Sequence, residues 1–216
     1  MDPTLTIEER KLAEVLGFEE DILMAVKECV ATPLKQLDHR VGVSSLGLPR
    51  EKAARIVREN YEKLRGRGYF IFLGKLDMDI VLNMSTSENM YNPSYEVTIV
   101  KSRDQYDILR VMETSGGNYG ITTDDIIEKL KGWDNMYSLD LKIFGADKAA
   151  VDIEINHVPE AKEKFTNEVF QFAPDVIDDM LLGKSYPTEP GAMKKYAYDT
   201  FIDRLKTKEH FWLWWD

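Results

Sequence analysis

Cysteine is almost missing from this chain of 216 residues, Cys29 being the only one. A lone cysteine excludes an internal disulfide and a cysteine-based zinc site, and makes a reducing compartment the default expectation. Cys29 lies beside an apolar helical stripe and reads as a small packed side chain rather than a nucleophile. Histidine is nearly as scarce. His39, His157 and His210 are the whole set, and none falls in a metal-binding spacing such as His-Glu-x-x-His. No Gly-x-Ser-x-Gly elbow is present, so a Ser-His-Asp hydrolase has no motif to rest on. No apolar run approaches the roughly 20 residues that cross a bilayer. The start, Met1-Asp2-Pro3-Thr4, lacks the basic residues and apolar core of a signal peptide. A cytoplasmic protein with no membrane partner is the expectation.

Positive charge is also short. Asp and Glu number 38 against 28 Lys and Arg, a net charge of −10. That balance argues against a phosphate backbone as partner, so no nucleic acid is expected. It suits a protein that docks on a basic surface. The acidity is uneven, about −3 before Lys101 and −7 from there on.

What the chain does have is aromatic weight at its end. Phe211-Trp212-Leu213-Trp214-Trp215-Asp216 holds three of the four tryptophans. Strand alternation puts Phe211, Leu213 and Trp215 on one face, and Trp212, Trp214 and Asp216 on the other. Both faces are apolar, which predicts an interior strand covered on two sides. Burial of each ring is worth roughly 2–3 kcal/mol.

Residues 5 to 16 read as a helix capped by Thr6 and stopped by Gly17. A second begins at Glu19-Glu20-Asp21, with a stripe of Ile22, Leu23, Val26, Val30, Leu34 and Leu37 that Pro33 should kink or divide. Val41 to Leu48 reads as a Gly/Ser loop. Pro49 opens a helix to about Leu64 whose outer face is the most basic in the chain, read as a solvated, salt-bridged face. Tyr69 to Leu73 is a strand, followed by a hairpin strand Leu76 to Met84, a polar loop to Pro93, and a strand Tyr95 to Val100.

Asp104 caps a helix over Tyr106 to Met112. Beyond the glycine-rich stretch Gly116 to Gly120, Thr122-Thr123 caps a helix from Asp124 to Trp133. Leu139 to Phe144 and Val151 to Ile155 form a hairpin. A helix opened by Pro159 stops before Pro174, residues 182 to 191 form a loop, and a last helix, Ala192 to Leu205, leads into the terminal strand. The expected class is α/β with α+β character: a mixed, largely antiparallel sheet with flanking helices and a helical N-terminus. Residues 1–100 form an N-terminal helical and β-meander part and 101–216 a C-terminal α/β domain, packed as one body. No internal repeat appears.

The second half carries motifs that resemble a known family: Tyr106-Asp107-Ile108-Leu109-Arg110, Gly117-Asn118-Tyr119-Gly120-Ile121, Asp125 to Leu130 with Trp133-Asp134, Glu168-Val169-Phe170-Gln171-Phe172 with Pro174-Asp175, and Leu213-Trp214-Trp215-Asp216. In this order they resemble an uncharacterised bacterial domain family, a domain of unknown function ending in Leu-Trp-Trp-Asp, over roughly residues 100–216. The chain departs from the pattern at Ala173, where relatives usually carry cysteine, which removes a thiol activity there. The family brings no established activity. Its members resemble immunity and accessory proteins of bacterial toxin systems, which implies a protein partner.

Among candidate sites, Gly116 to Gly120 precedes a helix start that could favour an anion. It lacks the preceding strand and the Lys-Ser/Thr of nucleotide loops, and Asp124 and Asp125 stand where a phosphate would sit. Its glycines and Asn118 read as suppliers of positive backbone dihedrals for a tight turn. The acids Asp77, Asp79, Asp124, Asp125, Asp134, Asp175, Asp178, Asp179 and Asp216 are oxygen donors of the kind hard cations take. None lies in calcium-hand spacing, and acidic helix caps account for most. Neither metal nor cofactor is expected.

Asp216 adds a chain-terminal carboxylate beside Trp212 and Trp214, and an interior position would oblige it to find a donor, Arg110 or Tyr119. The candidate ligand site is Asn118, Tyr119, Asp175, Trp212, Trp214 and Asp216, with no catalytic set. The expected function is therefore a non-catalytic binding protein that docks an acidic surface on a protein partner, a basic toxin if the immunity resemblance holds. The alternative is an enzyme or small-ligand receptor using the Trp-lined pocket. The sequence leaves the oligomeric state open.

Overall fold

The computed structural model describes residues 4–37, 41–74, 95–181, 189–208 and 210–215. The chain divides into two compact units, Met1–Met112 and Glu113–Asp216.

The first unit opens with α1 (Ile7–Leu16) and α2 (Glu20–Val30). Thr6 and Glu9 form a reciprocal capping box at the start of α1, and Gly17 ends it in the left-handed region at φ 67°. The helix predicted over residues 19 to 37 is shorter than expected. Ala31 turns left-handed (φ 56°) after Val30, and Leu34 belongs to a strand, β1 (Leu34–Gln36). The leucine spacing suited a helix, but Pro33 has no N–H to continue one and pushes the residue before it out of the helical region.

The predicted loop 41–48 likewise contains a strand, β2 (Gly42–Ser45). Small polar residues are tolerated here because their hydroxyls are bonded. Ser44 Oγ donates to Glu96 Oε2 at 2.7 Å, and Ser45 Oγ accepts from the Val97 N–H at 2.9 Å. Then come α3 (Arg50–Arg65), β3 (Tyr69–Leu73), β4 (Val97–Lys101) and the short α4 (Asp107–Met112), whose approach Asp104 caps by accepting from the Tyr106 N–H at 3.0 Å. The hairpin strand 76–84 and the loop to 93 lie outside the described residues. The strands run β1-β2-β4-β3, each pair antiparallel.

Part of the basic face of α3 and the turn after it is paired within the unit. Lys52 donates to the Val30 carbonyl, Arg65 pairs with Glu62, and Arg67 with Glu19 and Asp21.

The second unit contains a 3-10 turn (Gly117–Tyr119), α5 (Thr123–Tyr137), β5 (Leu141–Ala146), β6 (Ala150–Ile155), α6 (Lys162–Phe172), α7 (Val176–Leu181), α8 (Pro190–Lys208) and β7 (His210–Trp214). Thr122 and Asp125 form the capping box of α5, which runs a turn past its predicted end to Tyr137. α7 falls in a stretch to which the sequence reading assigned no element. The sheet runs β5-β6-β7, antiparallel throughout, with a register shift between Ile143 and Gly145.

The terminal strand exists where it was predicted, but it is the last strand in the order rather than an interior one. Phe211 and Leu213 are fully buried, because α6 and α8 cover that face through the ring contacts of Phe165 and Phe201 with Phe211. The fold class is therefore the one expected: helices with a largely antiparallel sheet and a helical N-terminus. Among the described residues no helix is long and apolar enough to cross a membrane.

The first unit carries one buried charge of consequence. Glu9 is 2 % exposed, yet its carboxylate accepts from the Thr6 N–H (2.7 Å), the Leu34 N–H (3.0 Å) and the Lys27 ammonium. It thereby ties α1, α2 and β1 together. Burial alone would raise its pKa, but the Lys27 bond and the two backbone donors outweigh that and hold it below the ordinary 4.5. A lowered folded-state pKa stabilises the fold above the unfolded value, and that stability is lost as pH falls through the folded value. Glu9→Gln is expected to cost about 1–3 kcal/mol at pH 7, with the gap to wild type closing below pH 4.5. Urea unfolding across pH 3–7 checks it; a gap that does not change with pH would contradict the assignment.

Candidate functional site

The glycine-rich turn and the end of the chain meet in the second unit. Gly116 and Ile121 exchange backbone hydrogen bonds of 2.9 and 3.1 Å, closing a tight loop around the 3-10 turn. Gly120 supplies the positive dihedral the sequence suggested, at φ 69°, but Gly116 does not, its φ being −97°. Gly116 is needed for room. A Cβ there would lie 2.8 Å from Trp215 Cδ1 and 2.9 Å from Cγ, so the indole sits directly on the glycine backbone. Trp215 is 2 % exposed, donates from Nε1 to the Phe172 carbonyl at 2.9 Å, and stands edge-on to the Phe172 ring at 5.6 Å and 89°.

This closure places Asn118 and Tyr119 at the surface, and the Tyr119 hydroxyl donates to Asp175 Oδ1 at 2.6 Å. That bond ties the turn ahead of one acidic helix start to another acidic helix start. One is Asp124 and Asp125 on α5, where the Thr122 hydroxyl and backbone N–H hold Asp125 below its ordinary range. The other is Asp175 with Asp178 at α7. Crowding by neighbouring atoms pushes the Asp178 carboxyl upward, and the Asp175 charge adds to the rise. The unit as a whole has 20 acidic and 12 basic residues, net −8.

Of the predicted site residues, Tyr119 is bonded to Asp175 and Asn118 precedes Tyr119 in the exposed turn, while the tryptophan that meets this turn, at Gly116, is Trp215. Trp212 and Trp214 alternate onto the other face of β7, opposite Asp152 and Ala150 of β6. Asp216 lies outside the described residues, and Arg110 is paired with Asp107 at 2.8 Å.

Several polar groups were not foreseen. Asp152 is buried and bonded to His210 Nε2 across the β6–β7 ladder. The only sequence signal was a charged residue in the alternation of β6, and nothing local pointed to a histidine 58 residues away. Glu168 accepts from Trp133 Nε1 (2.9 Å) and the Tyr137 hydroxyl (2.8 Å). Burial, and then the Glu168 carboxylate, push the Tyr137 phenol up to about 12. Lys129 holds its ammonium over the rings of Trp133 and Phe172. Among the described residues no group of three or more His, Cys, Asp or Glu side chains is arranged to hold a metal ion.

Fold and site define an acidic α+β protein whose C-terminal unit closes on a tryptophan seated against a glycine turn. The chain belongs to the family described as Domain of unknown function (DUF4253), whose model matches residues 96–216. No curated protein and no solved structure matches the chain.

Gly116→Ala is expected to lower stability by roughly 1–3 kcal/mol, because the pinned Trp215 ring cannot withdraw. Gly117→Ala points into open space and should change it by less than about 0.5 kcal/mol. Thermal melts followed by near-UV circular dichroism of the tryptophans check the pair; equal stability of the two variants would contradict the packing argument.

Proposed function

We propose that the chain is a non-catalytic binding protein that docks the acidic end of its C-terminal unit on a basic protein partner. The observation that carries this reading is the net charge of −8 on the C-terminal unit, with Asp124, Asp125 and Asp178 exposed at the starts of α5 and α7. Such a surface steers an oppositely charged partner, giving fast, salt-sensitive association. The finer reading, taken from the family resemblance, is an immunity-type protein whose partner is a basic toxin that it neutralises.

A second reading has one observation in its favour. The pair of half-buried His210 and buried Asp152 shares a strand face with Trp212 and Trp214, a composition suited to a small ligand.

Affinity capture from the native host discriminates. The partner should be recovered at about 50 mM salt and lost near 500 mM. A variant carrying Asp124→Asn, Asp175→Asn and Asp178→Asn should recover none at either salt. Capture that persists at high salt, or in the triple variant, would contradict acidic docking.

A further inference from the structure

The aromatic corner under Lys129 has the geometry of a cation seat. The rings of Trp133 and Phe172 stand at 84° with centroids 5.7 Å apart, two walls of a corner. The Lys129 ammonium lies over both, 5.4 Å from the Trp133 centroid and 5.6 Å from that of Phe172. Both distances are within the range at which an aromatic face attracts a cation.

Neither wall depends on Lys129 for its position. Trp133 is fixed by its Nε1 bond to Glu168 and its edge contact with Phe165 at 5.4 Å. Phe172 is braced by Trp215 on its other side. The corner is thus preformed, while its occupant sits on a flexible four-carbon stem on a half-buried helix position. An acidic group flanks it: Glu168, bonded to Trp133.

We infer that this corner is a binding subsite for a lysine ammonium carried by the basic partner, and that Lys129 occupies it until the partner's lysine takes its place. The inference rests on the basic-partner reading and sharpens it, because the corner already accommodates one alkylammonium, that of Lys129. Self-occupancy makes Lys129 a competitor. The apparent affinity of an incoming lysine is reduced by the fraction of molecules in which the corner is closed.

Full-length wild type, Lys129→Ala and Lys131→Ala are titrated with hexalysine by calorimetry and with tetramethylammonium by tryptophan fluorescence. Lys131, exposed on the same helix, controls for the loss of one positive charge. Lys129→Ala is expected to bind hexalysine about tenfold tighter than wild type, and Lys131→Ala less than about threefold tighter, since only the first opens the aromatic faces. Tetramethylammonium should give a saturable change in emission with Lys129→Ala at concentrations that leave wild type unchanged. Equal affinity of the two variants, or no response to tetramethylammonium, overturns the subsite and leaves acidic docking standing. Failure of hexalysine to bind all three proteins overturns both.

Discussion

The seating of Trp215 on Gly116 is the contact on which the second unit depends. It joins three parts of the chain that share no local sequence: the turn after Glu113, the end of α6 and the last strand. The glycine admits the ring, the Phe172 carbonyl takes its N–H, and the Phe172 ring meets it edge-on. A buried indole needs both apolar cover and a partner for its nitrogen, and this site provides both. From Phe172 the aromatic network continues through Trp133 and Phe165 to Phe211 and Phe201, so α5, α6, α8 and β7 share one core.

The surface features follow from that core. The turn that receives Trp215 also presents Tyr119, whose hydroxyl reaches Asp175 only because the helix end carrying Phe172 is held against the same indole. Acidic helix starts favour the positive ends of their own helix dipoles, which is a sufficient local reason for Asp124 and Asp125. The meeting of Asp175 with Tyr119, in the turn ahead of α5, is a consequence of tertiary closure. The Lys129 corner stands one ring further in, with Phe172 as the wall common to both features.

The legibility of this chain in its sequence tracks how local each cause is. Thr6, Gly17, Thr122 and Pro174 act within a turn or two of themselves, and each boundary they mark is found within a few residues of its predicted place. The alternation in β5 and β6 was legible for the same reason. β2 was not, because Gly42, Ser44 and Ser45 look like a loop until Glu96 and Thr98 arrive from the neighbouring strand to bond the hydroxyls. Leu34 and Leu37 fitted a helical stripe that Pro33 did not merely bend but ended.

The terminal strand shows both sides of this. Its apolar content announced burial correctly, yet composition says nothing of strand order, and the strand lies at the end of it. The motifs point to Tyr119 and Asp175, which are bonded, but which tryptophan meets the glycine turn depends on the pleat phase of β7. In the sequence Gly116 looks like a conformational residue, yet its φ is ordinary; the need for glycine is set by a ring 99 positions along the chain. Asp152 and His210 are adjacent only through the β6–β7 register.

The last strand, with Trp215, is core to the C-terminal unit and holds its surface in place. Removal of Phe211 to Asp216, followed by differential scanning calorimetry of the truncated and full-length chains, tests it most directly. The truncated chain should lose the cooperative transition of residues 113–216, and the remaining enthalpy should fall to roughly that of a domain of about 100 residues. A truncated protein that melts cooperatively with the full-length enthalpy and midpoint would contradict it.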